Sequence, residues 1–202
     1  MTFAKCLAIM PSLQTIQASV PLTGAGTGGF MDPARVISEA GVVLPGMRIA
    51  DFGCGAGYFT ILLAEQVGEI GQVYAVDILD SPLQAVETKA LIKGLSNIDT
   101  IRANLEVLGD TKLADNSLDL VWLSNVLFQS SKKVDILREA FRVLKPSGKL
   151  VLIDWIPKLP LGPKGFRFSP QEAQTMAAQV GFQLVRSFGA GQYHWGLIFK
   201  KP

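Results

Sequence analysis

Gly53, Gly55 and Gly57 stand at alternate positions directly after the apolar run Ile49-Ala-Asp51-Phe52, and a helical pattern starts immediately behind them. A glycine turn leaving a parallel strand lies at the edge where doubly wound sheets bind ligands. The missing side chains let a flat ligand rest on the backbone, and such turns often require positive φ. The spacing is G-x-G-x-G followed by Tyr58, whereas the dinucleotide fingerprint is G-x-G-x-x-G. A bulky aromatic therefore occupies the third-glycine position of that fingerprint, which disfavours a nicotinamide-dependent oxidoreductase. Asp77 closes a second apolar run, Val73-Tyr-Ala-Val76. An acidic side chain there can accept hydrogen bonds from both hydroxyls of a ribose, so the two features together predict a nucleoside site with no need for a pyrophosphate.

His194 is the only histidine, and so the only side chain whose unperturbed pKa lies near neutrality. Tyr193 precedes it, and Asp154 ends another apolar run. Cys6 and Cys54 are the only cysteines; with a single histidine they make neither a disulfide scaffold nor a zinc set, and no metal site is predicted. Cys54 reads as a small residue tucked beside the ligand rather than a reactive thiol. Asp119 reads as a structural cap, and the pairs Lys132-Lys133 and Lys200-Lys201 as solvated charge.

These residues need a frame, and the pattern supplies one. Asp32-Pro33 caps a helix that Gly41 ends. Strands are then predicted over 48–52, 72–76, 98–102, 118–123 and 149–154, with helices between them. Ser81-Pro-Leu-Gln84 and Ser169-Pro-Gln-Glu172 have capping-box spacing. A helix over about 132–144 leads through Lys145-Pro-Ser-Gly148 into the 149–154 strand. Strands over 182–188 and 193–200, joined by a short glycine-rich link, form an antiparallel hairpin. Alternating strands and helices give an α/β doubly wound, mostly parallel sheet covered on both faces. Residues 1–29, ending in a glycine-rich tract, read as a flexible arm, and 30–202 as the domain.

The chain has 202 residues, 49% of them hydrophobic and 18% charged, which is one domain with a sizeable core. A net charge of +2 with no basic stripe makes nucleic acid an unexpected partner. No apolar run approaches the ~20 residues of a membrane span, and the two cysteines fit a reducing compartment, so a cytoplasmic protein is expected. The sequence does not fix an oligomeric state.

From Asp51 to Gly57, and again at Asp77, the sequence resembles the class I S-adenosylmethionine-dependent methyltransferases. Leu113-Ala-Asp-Asn-Ser-Leu-Asp119-Leu-Val121 is similar to the segment entering their fourth strand, and Leu137 to Gly148 to the helix and turn before their fifth. The resemblance looks closest to the type 11 group and implies seven strands in the order 3-2-1-4-5-7-6. It also implies a cofactor, S-adenosyl-L-methionine, and a small-molecule substrate as methyl acceptor. Asp51 with the Gly53 and Gly55 backbone would meet its methionyl part, Cys54 and Gly57 would complete the turn, Asp77 would bind the ribose, and Ile78 would pack on the adenine. Asn104 and Leu105 after the third strand and Ser124 after the fourth would complete that set. For the acceptor, His194 or Tyr193 acting with Asp154 would orient or deprotonate it, under a cover formed by 156–165, which carries Lys158 and Lys164. The alternative reading is a methyltransferase-fold module that binds the cofactor or a partner without catalysis.

Overall fold

The computed structural model describes residues 31–157, 162 and 165–202. The expected arm over 1–29, with Cys6, and Lys158 and Lys164 of the proline-rich segment lie outside the described residues. The elements are α1 (Pro33–Ala40), β1 (Arg48–Phe52), α2 (Tyr58–Val67), β2 (Gln72–Asp77), α3 (Asp80–Lys93), β3 (Ile98–Arg102) and β4 (Leu118–Ser124). A 3-10 turn (Leu127–Gln129) follows, then α4 (Lys133–Val143), β5 (Leu144–Trp155), α5 (Pro170–Val180), β6 (Gln183–Gly189) and β7 (His194–Lys200).

The strands form one seven-stranded sheet in the order β3-β2-β1-β4-β5-β7-β6. All neighbours pair in parallel except β7, which runs antiparallel to both β5 and β6. Period-two alternation divides the core between the two faces. Ala50, Phe52, Val121, Leu123, Leu150 and Leu152 pack with α4 and α5. Ile49, Leu120, Trp122, Val151, Ile153 and Ile198 pack with α1 and α2. Among the described residues no helix is long and apolar enough to cross a membrane.

Local chemistry sets most of the boundaries. Asp32 accepts from the Ala34 and Arg35 amides at the start of α1, and Gly41 ends it in a left-handed conformation at φ 56°. At α5 the capping box is complete: the Ser169 hydroxyl accepts from the Glu172 amide at 3.2 Å and Glu172 accepts from the Ser169 amide at 2.7 Å. The expected box at Ser81–Gln84 does not form. The Asp77 carboxylate takes the Leu79 amide at 3.1 Å, which turns the chain into α3 before Ser81 is reached. β5 begins at Leu144, earlier than expected, because Leu144 already pairs with Leu118; the Lys145–Gly148 turn lies inside the strand with Ser147 at φ 67°. Lys201 is a further correction. Its ammonium donates to the Phe141 and Leu144 carbonyls, both at 2.7 Å, so it caps the end of α4 instead of standing in solvent. Asp119 is structural, accepting from the Arg48 amide at 2.8 Å and from Lys145 at 2.6 Å at the amino edge of the sheet.

Candidate functional site

The turn after β1 is held in place by the neighbouring strand. The Gly53 and Cys54 amides both donate to the Val76 carbonyl, at 2.8 and 3.0 Å. All three glycines have positive φ, at 71°, 51° and 79° for Gly53, Gly55 and Gly57, but the space around them differs. A Cβ on Gly53 would collide with Val126, and one on Gly57 would lie 2.8 Å from the Val86 side chain of α3. Only at Gly55 would a Cβ meet nothing within 4 Å. Gly53 and Gly57 are thus required by the protein's own packing, and Gly55 is the one that faces open space. Its amide donates to Asp77 at 3.0 Å, so the glycine turn and the acidic end of β2 form a single cradle.

Asp51 lies beneath this cradle, 2% exposed, with its carboxylate accepting from the Thr60 hydroxyl at 2.6 Å. Burial pushes its pKa up to about 7, and the charge of Asp77 adds to the effect. Burial raises the Cys54 thiol far above its usual range, with the Asp51 and Asp77 charges contributing, so it is no nucleophile. Ile78, the next residue after Asp77, is exposed, and Leu105 is buried in the loop that follows β3. Asn104 caps that loop: its side-chain oxygen accepts from the Glu106 amide at 3.0 Å, and its own amide donates to Asp110 at 2.7 Å.

The register orders the residues along the carboxyl edge. Asp51 pairs with Ala75 and Trp122, Ser124 with Ile153, and Trp155 with His194. By alternation Asp77, Asp51, Ser124, Trp155 and His194 all leave the sheet on the face that carries α1 and α2. Asp154 pairs with Trp195 and leaves on the other face, as does Tyr193 by the same alternation. The structure therefore groups Tyr193 with Asp154 and separates both from His194.

Asp154 is fully buried and accepts from the Phe128 amide at 3.1 Å and from its neighbour Trp155 at 2.7 Å. Burial raises it to about 6 against those two hydrogen bonds and the positive charges of Lys133 and Arg167. His194 is 3% exposed, with its ring centroid 4.1 Å from that of Trp155 and, among the described residues, no hydrogen-bond partner at either nitrogen. Burial, helped by the Arg167 charge, lowers it to about 4, so it is neutral at physiological pH. Tyr193 is half-buried, and its carbonyl accepts from the Ile156 amide at 2.9 Å.

Asn125 was not singled out from the sequence. It follows β4 in a left-handed conformation at φ 59°, and among the described residues its buried side-chain oxygen has no partner, nor does the Ser124 hydroxyl beside it. The sequence signal was the residue type, since Asn is among the few non-glycine residues that tolerate this conformation. Glu139 was also missed. From inside α4 it accepts from the Gly109 amide at 2.8 Å and the Thr111 hydroxyl at 2.5 Å, fastening the loop that starts at Asn104.

Residues 44–183 match the model of a family described as a methyltransferase domain. The ubiquinone/menaquinone biosynthesis C-methyltransferase UbiE of Shewanella frigidimarina is 36% identical over 118 residues, covering 58% of this chain and 46% of the relative. The chain thus spans about half the length of the curated relatives it matches. Among solved structures, a SAM dependent methyltransferase from Aquifex aeolicus superposes with a TM-score of 0.76 at 28% identity, covering 86% of this chain and 91% of the other. The [4+2]-cyclase SpnF has a TM-score of 0.71 at 19% identity, covering 84% and 79%, a likeness of fold alone. With well over half of its length matched by the family model and its strand order that of the resemblance, the chain belongs to the class I S-adenosylmethionine-dependent methyltransferase family.

Proposed function

We propose that the chain transfers the methyl group of S-adenosylmethionine to a small-molecule acceptor, and that residues 30–202 form the domain that does so. The observation that carries this reading is the cradle in which the Gly55 amide meets the Asp77 carboxylate at the carboxyl edge, beside a Gly55 that faces open space. The cofactor fits the residues present: Asp77 still has acceptor capacity for ribose hydroxyls, and the Ser124 hydroxyl, without a partner among the described residues, supplies a donor and acceptor at the end of β4. Gly53, Cys54, Gly55 and Gly57 would form the floor under it, with Asp51 toward its ammonium end. Ile78, Asn104 and Leu105 would form the adenine side. When bound, it supplies a methyl group on a sulfonium that is already a good leaving group.

The protein's own task is then mainly orientation and exclusion of water. Asp154 and Tyr193 would hold the acceptor from one face of the sheet. His194 would meet it from the other as a neutral hydrogen-bonding group, since an imidazole near pKa 4 is a weak base at pH 7. A cytosolic setting is part of the same proposal, supported by the free, buried thiol of Cys54.

Titration calorimetry with S-adenosylhomocysteine tests the cofactor site, and binding is expected for the wild type. Asp77→Ala removes charged acceptors from the cradle and should weaken binding by about 1.5 to 3 kcal/mol, roughly ten- to a hundredfold. Binding of NAD in place of S-adenosylhomocysteine would overturn the reading. Transfer of labelled methyl from S-adenosylmethionine into a small-molecule extract separates catalysis from binding alone.

A further inference from the structure

One hydrogen-bonded chain runs from the cofactor side of the edge to the acceptor side. Asn104 caps the Glu106 amide, and the Glu106 carboxylate accepts from the Ser130 hydroxyl at 2.6 Å, with the Lys132 ammonium 3.7 Å from its other oxygen. Ser130 is buried and serves as a junction. Its amide closes the 3-10 turn on the Leu127 carbonyl at 3.1 Å, its hydroxyl accepts from the Lys132 amide at 2.8 Å, and its carbonyl accepts from Lys133 at 2.5 Å. Within that turn Phe128 donates its amide to Asp154 and accepts at its carbonyl from the Phe166 amide at 2.6 Å. Val126, at the start of the same turn, packs where a Cβ of Gly53 would be. Loop, turn and glycine cradle therefore touch, and the Glu106 carboxylate joins the loop after β3 to the segment after β4 through side chains, by its hydrogen bond from Ser130 and the weaker approach of Lys132.

We propose that Glu106 is a positioning residue that transmits cofactor occupancy at Asn104 and Leu105 to the Phe128 turn and so to Asp154. The inference rests on the cofactor reading above. A ligand settling against Asn104 and Leu105 restricts the loop, and the loop is fastened at its far end by Glu139, so the freedom it loses is passed to Ser130 through Glu106. Coupling of this kind is reciprocal: a turn ordered by the cofactor binds acceptor better, and bound acceptor holds the cofactor more tightly.

Hydrogen exchange of the whole chain with and without saturating S-adenosylhomocysteine tests it. In the wild type, the ligand should slow exchange both over 104–113 and at the Phe128, Gln129 and Ser130 amides, the latter by about fivefold or more. In Glu106→Ala and Ser130→Ala the slowing over 104–113 should persist and that at 128–130 should vanish, while exchange without ligand stays as in the wild type. A purely structural role would instead change the ligand-free rates. Glu106→Gln keeps an accepting oxygen and should restore the effect. Affinity for S-adenosylhomocysteine should stay within about threefold in all three variants, below the usual range of coupling. The proposal is overturned by ligand binding without slowing at 128–130 in the wild type, by slowing that survives in both alanine variants, or by a glutamine variant that behaves as the alanine one does. No heat of binding to the wild type would instead sink the cofactor reading, and the coupling with it.

Discussion

Asp51, Asp154 and His194 are buried ionisable groups whose protons move stability in opposite directions. Asp51 and Asp154 have ordinary values of 3.8 that rise to about 7 and about 6 on folding. A raised carboxylate keeps its proton in the folded state after the unfolded chain has lost it. Stability therefore falls as pH rises from about 4 through the folded value, and levels off above it. His194 drops from 6.5 to about 4, so below 6.5 the unfolded chain takes up a proton that the folded one refuses, and stability falls as pH drops toward 4. Between about 4 and 6 the two carboxylates outweigh the one imidazole. Asp51→Asn removes the larger carboxylate effect while keeping an acceptor for the Thr60 hydroxyl. In urea unfolding it should exceed the wild type by on the order of a few kcal/mol at pH 8, with the difference closing toward pH 4. Because the chain has a single histidine, one imidazole resonance reports His194 in a proton NMR titration, with an expected midpoint near 4. A midpoint at 6 to 7 would mean that the ring is hydrated or paired, and would restore it as a general base. At this scale the sequence identified Asp51, Asp77 and His194 as residues to watch, but not their surroundings. Neither the isolation of His194 beside Trp155 nor the separate needs of Gly53 and Gly57 for Val126 and Val86 can be read without the packing.

Elements were legible wherever the chain marks its own ends. The α1 and α5 caps and the G-x-G-x-G turn are local chemistry and came out as expected, whereas the Ser81 box failed because α3 starts at Asp80, which puts Ser81 inside the helix and not at its cap. Long-range fastening left no local signal. Glu139 is fully buried in α4, where a carboxylate is costly unless paired. It is paired on three sides: by Arg142 at 2.7 Å, by Thr111 and by the Gly109 amide. Arg142 extends the clasp to the Leu113 carbonyl at 2.7 Å and to Asp115 at 2.5 Å. These bonds hold Glu139 below the usual carboxylate range despite its burial. Glu139→Ala leaves Arg142 half-sheltered without its main partner and the loop amide unpaired, and should cost about 3 to 5 kcal/mol in chemical denaturation. Ser169→Ala, which removes one hydroxyl from an exposed cap, should cost only about 1 kcal/mol in the same assay. A similar loss in both variants would mean that the Glu139 clasp contributes no more than an ordinary surface cap.

At the scale of the whole molecule, topology decides where chemistry can happen. Parallel strands deliver their carboxyl ends to one edge, and the strand order places β1 and β4 side by side at the middle of it, with β7 adding His194 and Tyr193 by running back from that same edge. That placement was legible in the sequence, since a hairpin whose first strand is parallel to the core must turn at the ligand edge. The extent of the folding unit is a separate question. Both faces of the sheet are already covered by described residues, with Val36, Ile37 and Ala40 of α1 closing the α2 side and Ala173 and Ala177 of α5 the other. Asp32 starts α1 from within the described residues, with its carboxylate on the Ala34 and Arg35 amides. A chain beginning at residue 23 should therefore keep its cooperative unfolding transition, with a midpoint within about 2 °C of the full chain, equivalent to about 0.5 to 1 kcal/mol at most for a domain of this size. Scanning calorimetry of the two chains decides it. Affinity for S-adenosylhomocysteine, measured on the same pair, then separates two roles for residues 1–22. Unchanged affinity and midpoint would make them dispensable to fold and cofactor alike, whereas a lost affinity at an unchanged midpoint would assign them to the ligand as a cover over the edge. A midpoint lowered by many degrees would instead place them in the folding unit and move the domain boundary toward the first residue.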